Sequence, residues 1–273
     1  MNIAQAYAKF NNQLIILISG LSGSGSSELA KNISRDFKLK LVSYKDFMKT
    51  ENEIDHESLK FNNNTIKFVN WDSDDVIKWK EFINTIELNK KEGVVAVSPA
   101  FPKKIYETFF YPDFHINIKL SKQNLLKKRI DYAKNNTDEM SQLYKEYTKN
   151  FDEIMTTIFN KYTFPYYLYS SSIDSTKITN FINANDYKEG DEYSRKIYDN
   201  AFDYLVNMIT KWLDSYNKTT LNSVHNFQNV QSKIDPYLTK KSYKHVVKDE
   251  FHKISTESDD DLDSDDDLDS DND

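Results

Sequence analysis

The chain has 273 residues, no cysteine and a formal net charge of −7. This length allows one α/β domain with extensions or at most two small domains, and the lack of cysteine excludes disulfides, thiolate metal sites and cysteine nucleophiles. No apolar run reaches the roughly 20 residues that span a bilayer, and the first residues lack the order of a secretory signal, so we expect a soluble, intracellular protein.

The negative charge is concentrated at the C-terminal end. The segment ESDDDLDSDDDLDSDND holds 11 acidic residues and no basic ones, which leaves 36 basic against 32 acidic residues in the rest of the chain. This composition cannot bury apolar surface, so it predicts a disordered acidic tail over 256–273. Residues 219–255 show no sustained period and are predicted to form a loosely attached extension. The heavy use of Asn, Lys and Ile favours an AT-rich coding genome, such as that of a large DNA virus or a protist.

The first half of the chain alternates between strand and helix patterns. Residues 1–12 are interpreted as an N-terminal extension containing a short helix, and QLIILIS predicts a strand buried on both faces. SSELAKNISRDF predicts a helix with Leu29 and Ile33 on one face, and LKLVS predicts a second strand. Residues 44–70 are polar and predict loops and a hairpin. SDDVIKWKEFINTIELNKKEG, which starts at Ser73, has acidic capping residues and helical spacing, so it predicts a helix.

The same alternation continues through the second half. GVVAVS predicts a third strand and FHINIKL, which alternates in polarity, a fourth; Ser121 is predicted to cap the next helix. A long helix is expected over 138–159, PYYLYSS is predicted to be a final strand, and DEYSRKIYDNAFDYLVNMITKWLDSY a closing helix. Strands that alternate with helices indicate a parallel sheet covered on both faces. We therefore predict an α/β fold of three layers over 13–218.

The stretch LIILISGLSGSGSSELAK has the composition of a phosphate-binding loop. Glycines let backbone N–H groups converge on a phosphate at the positive end of a helix. In the pattern G-x-x-x-x-G-K-[ST], lysine reaches the outer phosphates and the hydroxyl binds Mg²⁺. Here Gly20 and Gly25 have the required spacing, Ser27 supplies the hydroxyl, and Ser26 replaces the lysine. The alternative interpretation is a glycine–serine turn with no role in phosphate binding.

The order of motifs resembles the uridine kinase and phosphoribulokinase group of P-loop kinases from about residue 14 to 218. Four stretches carry this resemblance: LIILISGLSGSGSSELA, VSYKDFMK, NWDSDD and INIKLSKQNLLKKRIDYA. They are similar to the family's glycine loop, S-Q-D-[SD]-F-Y, N-F-D-H-P-D and R-R-I-x-R-D motifs. The resemblance implies the P-loop NTPase fold over 13–218, ATP and Mg²⁺ as cofactors and a nucleoside as substrate.

The resemblance also implies individual site residues. The loop residues Gly20, Ser22, Gly23, Ser24, Gly25, Ser26 and Ser27 would bind the nucleotide, with Ser27 as the metal ligand. Asp72 matches the aspartate that holds the ribose hydroxyls, with Trp71 beside it in the substrate site. The alternative role of Asp72 is to cap a helix. Arg129 matches a lid arginine, whereas a basic cluster on a helix is more often a solvated face.

Three departures from the family pattern place catalysis in doubt. Ser26 stands where the family has the loop lysine, and Lys45 stands where it has the general-base aspartate. Ser98 stands where the family has an acidic residue after the third strand. Asp46 could substitute as the base or be an exposed loop acid. Lys45 could be a relocated phosphate-binding charge, since the lysine side chain is long and flexible.

Three functions remain open from the sequence. The first is a uridine-kinase-like protein with impaired or absent phosphotransfer, in effect a pseudokinase. The second is an active nucleoside kinase that transfers the γ-phosphate of ATP to the 5′-hydroxyl of uridine or a related nucleoside. The third is an interaction protein that acts through its acidic tail on a basic partner, although such a tail more often only keeps a protein soluble. No clear nucleic-acid site and no membrane partner are expected.

Overall fold

A computed structural model describes residues 1–102, 111–135, 139–171, 180–185, 187 and 190–219. The predicted acidic tail and residues 220–255 of the extension before it lie outside the described residues. Within the described ranges no helix is both long enough and apolar enough to cross a bilayer.

Seven strands are present in the described part of the chain. They are β1 Ile15–Ser19, β2 Lys40–Ser43, β3 His56–Phe61, β4 Asn64–Val69, β5 Val94–Ser98, β6 Phe114–Lys119 and β7 Asn180–Asn183. Five of them form a parallel sheet in the order β2-β5-β1-β6-β7, and β3 and β4 form a separate antiparallel hairpin. The predicted parallel sheet is therefore confirmed, with β1 at its centre.

Helices cover both faces of this sheet. The helices are α1 Ile3–Asn11, α2 Ser26–Phe37, α3 Trp79–Asn89, α4 Lys122–Asn135, α5 Glu139–Glu146, α6 Phe151–Ile158, α7 Phe164–Ser171 and α8 Asp191–Thr219. Short 3₁₀ turns lie at Tyr44–Phe47, Glu51–Glu53 and Asp74–Val76, and a π-helical turn at Phe159–Thr163 joins α6 to α7. The predicted α/β fold of three layers is confirmed.

Two apolar cores explain why these elements pack as they do. On one face of the sheet, Ile15, Leu17 and Ala96 pack against Phe82 and Ile86 of α3. β1 is buried along its whole length because helices cover it on both sides.

The second core joins the hairpin to the helices that follow β6. Leu59, Ile66 and Phe68 of the hairpin pack on Ile154 and Met155 of α6, together with residues of α4 and α5. We call the hairpin, α4 to α6 and the π-helical turn the hairpin–helix unit. It supplies one wall of the cleft described below.

Some local predictions were wrong. PYYLYSS is not a strand: residues up to Ser171 form α7, and the last strand of the sheet is Asn180–Asn183. The helix continues out of the π-helical turn, and Pro165 lies in its first turn, where the missing N–H costs little. The single helix expected over 138–159 is two helices separated by a turn at 147–150. The helix expected from Ser73 begins at Trp79, with Lys78 at its N-cap in place of an acidic residue.

Candidate nucleotide-binding cleft

A cleft opens at the carboxyl ends of the central strands. In doubly wound sheets this is where ligands bind, beside the strand at which the strand order reverses. The cavity measures about 570 Å³. It is lined by Gly20, Ser22, Gly23, Gly25, Ser26, Ser27, Glu28, Tyr44, Lys45, Met48, Trp71, Asp72, Pro99, Lys128, Arg129 and Tyr132. Most of the site residues predicted from sequence therefore lie around one cavity.

The glycine loop joins β1 to α2 and forms the floor of this cleft. Gly23 and Gly25 have φ values of +92° and +91°, which side chains other than glycine rarely adopt. Gly25 is the N-cap of α2, and no side chain caps the helix. The first N–H groups of an α-helix have no partner within the helix. The start of α2 can therefore accept a phosphate, and the residues present fit the phosphates of a nucleotide.

Ser26 is the first residue of α2 and is turned into the loop. Its Oγ donates a hydrogen bond to the Gly20 carbonyl oxygen at 3.1 Å, and the residue is 8% exposed. The hydroxyl therefore ties the two ends of the loop together. It brings no positive charge to the position where the loop pattern has lysine.

The remaining loop residues differ in exposure. Ser22 and Gly23 are exposed, and Ser27 is half-buried with a position on the cleft wall. Ser24 is fully buried below the loop surface, and its Oγ has no hydrogen-bond partner. A Cβ on Gly20 would overlap that hydroxyl. Ser24 thus fills the inside of the loop and does not line the cleft.

The Ser27 hydroxyl is the protein oxygen that a magnesium ion at the loop could use. Among the residues that the structure describes, no group of three or more His, Asp or Glu side chains could hold a metal. Mg²⁺ is commonly bound by one or two protein oxygens together with substrate phosphates and water. The Ser27 hydroxyl fits such a site, in which the phosphates supply most of the ligands.

Lys45 and Asp46, the second and third residues after Ser43, have different positions. Lys45 lines the cleft, whereas Asp46 is exposed on the 3₁₀ turn Tyr44–Phe47 and does not line it. β2, which leads into this turn, is an edge strand, and β5 separates it from β1. The structure thus brings Lys45 to the cleft without bringing the candidate base Asp46.

Asp72 and Arg129 form a buried ion pair on the wall opposite the loop. Arg129 donates from Nη2 to Oδ2 at 2.8 Å and from Nη1 to Oδ1 at 3.3 Å, and the two side chains are 11% and 7% exposed. Thr163 of the π-helical turn donates to the same Oδ2 at 2.9 Å. Asp72 does not cap a helix, since Ser73 is the N-cap of the following turn. Asp72, which was expected to bind ribose, and Arg129, which was expected to contact phosphate, are therefore hydrogen-bonded to each other.

Three aromatic side chains share the cleft with this ion pair. Tyr44, Trp71 and Tyr132 all line the cleft. Burial and the nearby Asp72 carboxylate raise the pKa of Tyr44 to about 12. Its hydroxyl therefore stays protonated at neutral pH and can donate a hydrogen bond. Planar aromatic walls beside polar groups suit a ligand with a flat ring and hydroxyls.

A cluster of buried polar side chains lies at the carboxyl ends of the central strands. Ser19 of β1 is in register with Ser98 of β5 and Asn117 of β6. Asn117 Nδ2 donates to Ser19 Oγ at 2.8 Å, and Ser19 Oγ lies 2.7 Å from His115 Nε2. Because Ser19 accepts from Asn117, its own proton is available for a neutral His115 ring. Burial lowers the pKa of His115 to about 3, which keeps the ring neutral.

This network contains no acidic residue at the carboxyl ends of the central strands. Ser98 Oγ and Asn117 Oδ1 are buried and have no hydrogen-bond partner. Pro99, the next residue, lines the cleft, and its carbonyl accepts from the Gly20 N–H at 3.2 Å. The end of β5 therefore supports the loop through backbone and neutral side chains, without a carboxylate.

Helix α8 holds the loop from the other side. The Tyr193 hydroxyl donates to the Ser24 carbonyl oxygen at 2.9 Å. Burial, and to a smaller extent Tyr187, raises the pKa of this hydroxyl, so it stays a donor. Lys128 Nζ lies 4.0 Å from the centroid of the Tyr193 ring. A Cβ on Gly23 would lie 3.3 Å from the Lys128 Cβ, so α4 contacts the loop closely.

Several of these residues were missed in the sequence. Tyr132 follows Arg129 by one helical turn, so helical spacing could have placed both on one face. Tyr44 precedes Lys45 and could have been included with it. Thr163 and Tyr193 carry no local signal, because they reach the site only through the fold.

No protein-family model and no curated protein matches the chain. Among solved structures, it is similar to shikimate kinase from Bacteroides thetaiotaomicron, with 14% identity over 71% of this chain and 98% of that one and a TM-score of 0.44. It is also similar to a gluconokinase from Sinorhizobium meliloti 1021, with 14% identity over 73% of this chain and 95% of that one and a TM-score of 0.41. Similarities at this level carry no information about substrate.

Proposed function

We propose that this protein is a uridine-kinase-like nucleotide-binding protein in which phosphotransfer is impaired or absent. The observation that carries the proposal is the position of Ser26. It occupies the lysine position at the start of α2, and its hydroxyl is bonded to the Gly20 carbonyl. Binding is supported by the uncapped start of α2 and by the cationic residues Lys45, Lys128 and Arg129 around the cleft.

Transfer of a phosphoryl group needs positive charge at the phosphates and a base at the acceptor hydroxyl. Loss of one preorganised electrostatic group typically costs about 100- to 1,000-fold in rate. The two carboxylates that line the cleft, Asp72 and Glu28, both accept hydrogen bonds within the protein: Arg129 and Thr163 donate to Asp72, and Ser194 donates to Glu28 at 2.9 Å. The cleft therefore has the features that bind a nucleotide, but it lacks the loop lysine, and both of its carboxylates already accept hydrogen bonds within the protein.

ATP and Mg²⁺ fit this proposal as ligands. The phosphates would meet the N–H groups of Ser26 and Ser27 at the start of α2, and Ser27 would be the protein ligand of the metal. Bound Mg²⁺ neutralises charge on the phosphates. The nucleoside would lie towards Trp71 and Tyr44.

An active nucleoside kinase is the second candidate. The aromatic wall and Asp72 favour it, since together they resemble a site for a ring with adjacent hydroxyls. In that case Asp72 would exchange Arg129 for the ribose hydroxyls, and the 5′-hydroxyl of uridine or a related nucleoside would accept the γ-phosphate of ATP.

Calorimetric titration with ATP and GTP, with and without Mg²⁺, tests the binding half of the proposal. We expect micromolar affinity that improves with Mg²⁺. An assay for ADP release with uridine as acceptor tests the other half. We expect turnover at least about 100-fold below the 1–100 s⁻¹ common among kinases. Turnover within that range would establish the second candidate, and no binding at millimolar nucleotide would exclude both.

The variant Ser26→Lys tests whether the missing charge limits the transfer. We expect about a tenfold or greater rise in ATP affinity or in turnover, because the lysine would place its charge on the outer phosphates. Ser22→Lys is the matched control, since it adds the same charge to an exposed loop residue that also lines the cleft. An equal gain in both variants would show that only the overall charge matters and would contradict the assignment.

A further inference from the structure

We propose that Lys128 supplies the phosphate-binding charge that Ser26 lacks. This inference rests on the proposed nucleotide binding and names a residue for it. Lys128 lines the cleft, lies against the glycine loop and belongs to α4, which follows the strand paired directly with β1. Three cationic side chains line the cleft, and their surroundings distinguish them.

Arg129 already forms an ion pair with Asp72. Both of its terminal nitrogens donate to Asp72, so its charge is offset by a buried carboxylate. Moving it to a phosphate would leave Asp72 unpaired in a site that is 7% exposed, and unpaired buried charges are strongly unfavourable.

Lys45 enters the cleft from a strand that is not adjacent to β1. It follows β2, which is two strands away from β1, and strands lie about 4.8 Å apart. Its side chain is exposed, and within the described ranges it forms no ion pair or cation–π contact. The strand that carries Lys45 lies roughly 10 Å across the sheet from β1, and no contact among the described residues fixes the direction of its side chain.

Lys128 is held at the loop by contacts that a phosphate can replace. Its Nζ lies over the ring of Tyr193, whose hydroxyl is bonded to the Ser24 carbonyl. That ring also lies 3.5 Å from the Cβ position of Gly25. No carboxylate pairs with Lys128 in the described part of the chain. A phosphate offers the ammonium group charge-assisted hydrogen bonds, which the face of an aromatic ring does not provide, so a bound phosphate can replace the ring.

The arrangement therefore provides an ammonium group that reaches the loop from a different helix than the usual lysine does. The lysine of the common pattern rises from the first turn of the helix, whereas Lys128 approaches from α4 across Gly23. Its charge can bind a phosphate, and Tyr193 positions it when no ligand is present.

Binding measurements on Lys128→Ala test this inference. We expect the affinity for ATP with Mg²⁺ to fall tenfold or more and the affinity for inorganic triphosphate to fall equally, with no change for adenosine. Lys127→Ala is the matched control, because it removes the same charge from the neighbouring exposed position of α4, which does not line the cleft. It should change ATP affinity less than twofold. Lys128→Arg should retain most of the affinity.

The outcomes separate this inference from the proposed function. If the unaltered chain binds ATP and Lys128→Ala binds it within twofold, the inference is wrong and the proposed function stands. A larger loss in Lys45→Ala than in Lys128→Ala would also overturn it. No ATP binding by the unaltered chain would overturn both. Circular dichroism and thermal unfolding of each variant exclude loss of fold as the cause.

Discussion

The parallel sheet and the hairpin–helix unit contribute to the same cleft in different ways. The sheet presents the glycine loop through backbone geometry, with positive φ at Gly23 and Gly25 and an uncapped helix start. The hairpin–helix unit contributes through side chains, chiefly Arg129 and Thr163, which hold Asp72. The loop is therefore local in sequence, whereas the opposite wall depends on contacts between distant segments. This difference predicts which substitutions disturb the site only and which disturb the fold.

The largest effect is expected from breaking the ion pair that joins Asp72 to the hairpin–helix unit. Asp72→Asn should lower the free energy of unfolding by about 3 kcal/mol, because it leaves the Arg129 cation buried without a counter-charge. Urea denaturation measures the loss. Asp75→Asn, at an exposed position nearby, should change stability by less than about 0.5 kcal/mol.

A double variant shows whether this loss comes from the pair. Asp72→Asn combined with Arg129→Met should be less destabilised than the sum of the two single variants, by about 1 kcal/mol or more. Strict additivity would mean that the two side chains act independently, and the wall of the cleft would then be held by the apolar core alone.

The sequence allowed the sheet to be predicted because its signals are local. The apolar run QLIILIS and the glycines after it are enough to indicate a buried strand, a phosphate-binding loop and a helix. The polarity of FHINIKL alternates, which predicts one buried and one exposed face. His115 and Asn117 are nevertheless buried, as are Phe114 and Ile116. Hydrogen bonds with Ser19 make that burial tolerable, and no pattern within β6 indicates them.

The hairpin–helix unit could be predicted only in outline. A hairpin was expected within 44–70 and is confirmed, but its packing partners come from α4 to α6. The aromatic residues of PYYLYSS favour a strand by propensity, and the helix that precedes them overrides it. Arg129 and Thr163 lie 57 and 91 residues from Asp72, so their convergence on one carboxylate follows from the fold and from no spacing in the sequence.

The sheet should show an acid sensitivity that originates at His115. Burial lowers its pKa to about 3, below the ordinary value of 6.5, so the unfolded chain binds a proton that the folded protein excludes. Stability from this residue is fully present above pH 6.5 and is lost as the pH falls from 6.5 towards 3. Between pH 7 and pH 5 the loss should be about 2 kcal/mol.

Urea denaturation at pH 7 and pH 5 checks this expectation. His115→Gln should be less stable at pH 7 but should lose about 2 kcal/mol less on acidification than the unaltered chain. His56→Gln is the control, because His56 is exposed in the hairpin beside Glu51 and should leave the acid response of the chain nearly unchanged. An unchanged acid response in His115→Gln would place the sensitivity elsewhere.

The smallest expected effect concerns Thr163, which donates to Asp72 from the π-helical turn. π-helical turns often occur at functional sites because the extra residue redirects a side chain. Thr163→Val keeps the shape but removes the donor, and a hydrogen bond to a charged group is worth about 1.5–3 kcal/mol. Since Arg129 still pairs with Asp72 in this variant, we expect a loss near the lower end, about 1.5 kcal/mol.

Thr157→Val separates the loss of this donor from a general effect of replacing threonine. Thr157 is half-buried on α6 and donates only to the Glu153 carbonyl one turn earlier, so its replacement should cost less than about 0.5 kcal/mol. If Thr163→Val is equally mild, Asp72 is held by Arg129 alone, and the π-helical turn serves packing. If it is costly, the turn positions the carboxylate that faces the cleft, and the hairpin–helix unit shapes the site through both of its contacts with Asp72.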